Sequence, residues 1–209
     1  VMECRWMRDT TYLHQILRTW YRGNNGGAMA KMTKFSSWNP AAVYDMFKVT
    51  GDTAFVLNLR PELEKEYARW QGSNRLKNGL YWQGDVQDGM EESISGGRKK
   101  QYARPTINSY MYGNASALAA MNRMSGNTTA AKKYDAEADT LRNLIETKLW
   151  NTNDTFFETM RGDTLARVRE AIGYIPWYFN LPEAEKYGKA WLQVEEERGF
   201  KAPYGLTTA

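Results

Sequence analysis

VTGDTA, residues 49–54, returns as MSGNTTA at 124–130, about 75 residues later. Each copy sits between two apolar-periodic runs: AAVYDMFKV before Gly51 and Thr53 to Trp70 after it, then TINSYMYGNASALAAMNRM before Gly126 and Thr128 to Leu149 after it. A glycine that stops one periodic run just ahead of the next predicts helix, tight turn, helix. The downstream spacing repeats too. Gly51 to Tyr81 is 30 residues and Gly126 to Phe156 is 30 residues, so the aromatic pairs Tyr81-Trp82 and Phe156-Phe157 fall in register. The repeating unit is therefore a helical hairpin followed by a loop with a short extended aromatic piece.

Outward from the turns, Ser36, Ser37 and Asn39-Pro40 supply a cap and an N1 proline for the first helix of the first pair. Its second helix carries Phe55, Leu57, Leu59, Leu63, Tyr67 and Trp70 inward, with PELEKE as its exposed side, and Ala138, Leu141, Leu144, Ile145 and Leu149 stripe the last helix. Strand signals are short, LYW at 80–82 and TFFET at 155–159. A period near 75 exceeds the roughly 33 to 47 residues of common helical solenoids. Long loops between hairpins suggest instead an all-α toroid whose inner helices surround a depression, with this chain holding three to four hairpins of a larger ring; an irregular helical bundle is the alternative that the pattern alone leaves open. The chain begins at Val1 and stops at GLTTA without a terminating element, and reads as a piece, residues 1–209, truncated at both ends.

Eight Trp, thirteen Tyr and seven Phe make the chain 13% aromatic, which serves a core and also suits sugar rings, whose C–H groups pack on π faces. The 28 basic and 24 acidic residues are diffuse, with no basic run longer than Arg98, Lys99 and Lys100, so nucleic acid is not an expected partner. One cysteine, Cys4, excludes an internal disulfide, and one histidine, His14, excludes a His-rich metal site. No apolar stretch reaches the roughly 20 residues of a membrane span. No metal, cofactor or membrane is expected.

The longest stretch without periodicity is 83–104, and within it GDVQDGMEESISGG, 84–97, holds four carboxylates, four glycines and no Lys or Arg. Asp85, Asp88, Glu91 and Glu92, if brought close, raise one another's pKa, and a carboxyl kept protonated near neutral pH is what a glycosidase needs to protonate a departing sugar oxygen. A flexible solvated loop and a cation site are the alternatives; D-x-x-D-x-x-E does not match an EF-hand.

GMEES at 89–93 resembles the SGMDN or SGWDFS segment of the six-hairpin (α/α)6 glycoside hydrolases of families 63 and 37. TINSYMYGNASALA at 106–119, KLWNTNDTFFET at 148–159 and APYGLTT at 202–208 are similar to three further segments of those enzymes. The whole chain is closer still to mannosylglycerate-hydrolase-like domains, through RWMRDTTYL, DGMEESISGG, RPTINSYMYG, GYIPWYFNLP and APYGLTTA in that order, from about Glu3 to Ala209. The resemblance implies an inverting glycosidase acting on a carbohydrate, in a secreted or periplasmic setting. Glu91 stands where the family has its general-acid Asp, with Asp88 as the second candidate. The longer Glu arm leaves a non-catalytic carbohydrate-binding or scaffold module open. A sugar epimerase on the same toroid relies on histidines, and His14 stands alone. Inversion needs a base about 6.5 to 9.5 Å from the acid. The family's base lies beyond the segment that resembles APYGLTT, so it is expected outside this chain, in the remainder of the toroid, and the chain alone is expected to be inactive; Glu158 and Glu170 are better explained by a turn and a helix end. Expected substrate contacts are Trp82 by stacking, Arg104 by pairing with a loop carboxylate, Asn108 and Tyr110 beside the loop, Arg5, Trp6 and Asp9 at the start of an inner helix, Trp38 at a second helix start, and Tyr204 from the resemblance alone. Tyr174, Pro176, Trp177 and Tyr178 are either pocket lining or core.

Overall fold

The computed structural model of the chain describes residues 3–29, 33–90 and 93–209, with side chains from residue 5 onward. Five helices dominate: α1 Thr11–Arg22, α2 Asn39–Thr50, α3 Thr53–Asn74, α4 Pro105–Met124 and α5 Thr128–Leu144. After them come the short pairs β1 Trp150–Asn151 with β2 Phe156–Phe157, β3 Met160–Arg161 with β4 Thr164–Leu165, and β5 Lys201–Ala202 with β6 Gly205–Leu206, each antiparallel. The helical turns α6 Ile175–Tyr178 and α7 Ala184–Tyr187 lie between β4 and β5. None of the described helices is long and apolar enough to cross a membrane.

The repeated motif is the same turn built twice. Gly51 ends α2 at φ 70° with its N–H on Phe47 O, and Gly126 follows α4 at φ 76° with its N–H on Arg123 O. Both φ values favour glycine, which carries no Cβ. The next residue caps the second helix. Asp52 Oδ1 accepts from Phe55 N at 2.9 Å and Asn127 Oδ1 accepts from Ala130 N at 3.1 Å, each satisfying a helix N–H that has no partner within its own helix.

The residues group into two units, Val1–Ser73 with Gly113–Ala138 and Asn74–Tyr112 with Asp139–Ala209. In the first, α1 runs parallel to α3: His14 stacks on Phe55 at 3.7 Å near the start of both, and Tyr21 bonds Glu66 further along. The α4 residue Asn114 accepts from Ala41 N and donates to Ser37 O at the head of α2. Arg123 of α4 pairs with Asp135 of α5 across the turn at 2.6 Å. Leu13, Leu17, Met46, Val56, Leu63, Trp70 and Leu118 fill the core. Two expectations need correction. PELEKE is not an exposed side, because Glu66 is buried against Tyr21. Among the described residues, two hairpins preceded by α1 stand in place of three to four, because the segment after residue 150 folds into short pairs and turns.

In the second unit the extended pieces expected at Tyr81-Trp82 and Phe156-Phe157 are present. Trp82 bridges Ala103, and Ala103 bridges Met160. α5 gives way at Leu144 to a five-residue π-helical turn, Ile145–Leu149, ahead of β1. Phe156 sits in an aromatic core with Tyr174 at 4.8 Å and Phe200 at 5.4 Å, and Phe157 meets Trp177 at 5.3 Å. Tyr174 and Trp177 thus belong to the core alternative, whereas Tyr178 is exposed.

Candidate active site

The acidic loop, in the second unit, starts from a tie between the Tyr81 strand piece and the first turn of α4. Asn108, fully buried, accepts from Tyr81 N at 2.7 Å and donates to Tyr81 O at 2.9 Å and Arg104 O at 2.8 Å, so one amide side chain completes both backbones. Trp82, half-buried, hydrogen-bonds through its backbone N–H to Asn74 O at 2.9 Å. Asp85 is buried and opens a 3₁₀ turn, Val86–Asp88, accepting from Val86 N at 2.8 Å.

Arg104 organises the middle of the loop. Its side chain and that of Asp88 are both fully buried, with Nε donating to Asp88 Oδ2 at 3.0 Å, and Thr106 donates to the same carboxylate oxygen. The guanidinium also contacts Met90 Sδ at 3.4 Å and Ser93 Oγ at 3.3 Å. These contacts flank positions 91 and 92 on both sides. Glu91 and Glu92 themselves lie outside the described residues. Gly96 packs against the same group: a Cβ there would lie 2.6 Å from Arg104 Nη1 and 2.7 Å from Asp85 Cβ, closer than atoms pack.

Beyond Glu92 the loop is strapped by Glu170, a buried carboxylate. It accepts from Ser93 Oγ at 2.9 Å, Ile94 N at 2.9 Å and Ser95 N at 3.2 Å, and from the Ser95 hydroxyl. Ser95 also shares a hydrogen bond with Thr159 at 2.8 Å, and Arg161 donates to Ser95 O at 3.1 Å. Tyr110, on α4, packs edge-on to Phe179 at 5.9 Å, and burial followed by the Asp88 charge pushes its phenol well up, so it stays protonated.

Glu158 is buried in the turn between β2 and β3, accepting from Asn151 Nδ2 at 3.0 Å and Arg167 N at 2.9 Å. Burial, with the neighbouring Asp154 carboxyl, raises it to about 7. In the first unit, Arg5 pairs with Asp45 at 3.8 Å and lies over the exposed Trp6 ring at 5.0 Å. Asp9 accepts from Thr11 N at 2.9 Å, and hydrogen bonds from Thr11 hold its carboxyl below the usual range. Trp38 is half-buried at the N-cap of α2. Tyr204 is fully exposed between β5 and β6. Thus Asp88, Arg104, Asn108 and Tyr110 gather around one loop, and Tyr204 stands out in solvent. Among the described residues no three His, Cys, Asp or Glu side chains converge to hold a metal ion. Glu170 and Thr106 are the site residues that sequence reasoning did not place there. Glu170 meets amides and hydroxyls rather than an opposite charge, and only the serines at 93 and 95 hinted at such a partner.

Solved glycoside hydrolases share this fold of helical hairpins. A mannosylglycerate hydrolase from Thermus thermophilus, solved with glucose, aligns with 88% of this chain at TM-score 0.74 and 12% identity, and a rhamnosidase from Bacillus sp. GL1 aligns with 96% at TM-score 0.68 and 12% identity. The sequence matches the mannosylglycerate hydrolase MGH1-like glycoside hydrolase domain over residues 1–209, and the chain belongs to that family. A solved structure named as a sialidase is 64% identical over 98% of this chain, at TM-score 0.95. The chain spans 19% of the sialidase's length, 56% of the mannosylglycerate hydrolase's and 22% of the rhamnosidase's.

Proposed function

We propose that this domain hydrolyses a glycosidic bond with inversion, with Glu91 donating the proton to the leaving oxygen and a base supplied by a part of the ring that this chain does not span. The observation that carries the reading is the placement of Arg104, whose guanidinium touches Asp88 and Met90 on one side of the Glu91-Glu92 pair and Ser93 on the other. An acid must be held within hydrogen-bond reach of its oxygen to be useful, and a loop pinned on both flanks supports that. Asp88, buried against Arg104 and Thr106, suits an anchor. The relatives' longer chains leave room for the second carboxylate.

The substrate is a carbohydrate by family, as the mannosylglycerate hydrolase and sialidase names of similar proteins suggest. A second reading, binding without hydrolysis, is favoured by Glu in place of the family's Asp. In the full-length protein, Glu91→Gln is expected to lower the hydrolysis rate by about 10²- to 10⁴-fold. A variant near wild-type rate overturns the assignment, and a parent that binds sugar but never hydrolyses it establishes the second reading.

A further inference from the structure

A cavity of about 100 Å³ in the first unit is lined by Tyr21, the loop 26–28, and Glu62, Lys65, Glu66 and Arg69 of α3. Glu66 is 3% exposed, and one of its oxygens accepts from the Tyr21 hydroxyl. Its Oε1 is buried and has no hydrogen-bond partner among the described residues. Burial pushes this carboxyl up from its usual range despite the opposing pull of Ser37, Tyr21 and Asn39. One helical turn earlier, Glu62 repeats the arrangement: Oε1 accepts from Arg22 Nε at 2.7 Å, while Oε2 is buried without a partner among the described residues. Residues at i and i+4 lie on one helix face. Among the described residues these two oxygens beside one cavity make no hydrogen bond, although Ser37 and Asn39 bear on the Glu66 carboxyl, and buried polar atoms left that way are costly.

The rest of the lining narrows what can supply the donors. A metal ion or an ammonium would meet Lys65 and Arg69, whose positive charges line the same cavity and whose residues reach solvent. A neutral molecule with adjacent hydroxyls suits both halves of the wall: its O–H groups donate to the two carboxylates, and its oxygens accept from the ammonium and guanidinium. At roughly 30 Å³ per water-sized group the space holds about three such groups, so the two hydroxyls enter it and the rest of the ligand extends toward Lys65 and Arg69. We propose that the Tyr21, Glu62 and Glu66 cavity is a binding site for the vicinal-diol edge of a small neutral sugar or polyol. The site lies wholly within the first unit and stands apart from the reading of the acidic loop.

The test is an amide-resolved NMR titration of the chain with D-glucose and, separately, with calcium chloride. The expected result is a saturable glucose shift at the amides of residues 26–28 and 62–69, weakened at least tenfold by Glu66→Gln and severalfold by Lys65→Ala, an exposed change that leaves the helix intact. Calcium is expected to give no saturable shift there. The proposal is overturned if glucose shifts no amide in these segments, which assigns the cavity to water alone, if calcium saturates it, or if Lys65→Ala and a folded Glu66→Gln both bind as the parent does.

Discussion

Arg104 and Glu170 divide the work of holding one loop. Arg104 uses charge against Asp88, and Glu170 uses four donors from residues 93–95, with no cation hydrogen-bonded to it among the described residues. Glu170→Ala leaves two backbone amides and two hydroxyls without their acceptor. Hydrogen exchange at the amides of Ile94 and Ser95 is therefore expected to quicken at least tenfold, with exchange in α3 unchanged; unchanged exchange at both loop amides contradicts the strap. Glu170→Gln, which keeps one acceptor oxygen, should fall between. Glu158 gives a pH signature. Its carboxyl is raised from 4.5 to about 7 in the folded chain, so the folded state binds the proton more tightly than the unfolded one. Its contribution is fully present below about 4.5 and is lost as pH rises through about 7. Thermal melts of Glu158→Gln against the parent should show a flatter decline across that window, and parallel curves contradict the assignment. The Arg104 partnership was legible in sequence because opposite charges flank the loop. The Glu170 strap was not, because amides and hydroxyls leave no charge pattern to read.

At the scale of the element, the hairpin turn is the best-determined part of the chain. Gly51 with Asp52 and Gly126 with Asn127 each combine a positive-φ stop with a side-chain cap three residues from its target amide. Such caps contribute about 1 kcal/mol each, so Asp52→Ala and Asn127→Ala should each lower unfolding free energy in urea by about that amount. The two turns lie far apart in sequence and share no hydrogen-bonding partner among the described residues, so the double variant is expected to lose the sum. These turns were legible because their chemistry is confined to a few consecutive residues. The face of α3 was misread for the opposite reason. PELEKE has the composition of a solvated side, and the Tyr21 phenol, 45 residues away in sequence, is among the groups that take Glu66 out of water.

Across the whole molecule, the fold was legible from the repeat and the family from five ordered motifs. The acidic loop was legible as a long ordered segment held by Arg104, and its proposed catalytic part rests on the resemblance. Of the acidic cluster expected to act together, Asp85 caps a turn and Asp88 anchors Arg104, while Glu91 and Glu92 lie outside the described residues. Glu91 is the proposed proton donor, and its role makes a demand that a structural role does not. A leaving group that departs as a stable anion needs no proton, whereas an alkoxide does. The decisive measurement is the rate of full-length Glu91→Gln relative to the parent on two glycosides of one sugar, one with an alkyl and one with a dinitrophenyl leaving group. The account predicts a loss of about 10²-fold or more on the alkyl glycoside and near-parent rates of bond cleavage on the dinitrophenyl one; equal losses on both contradict it.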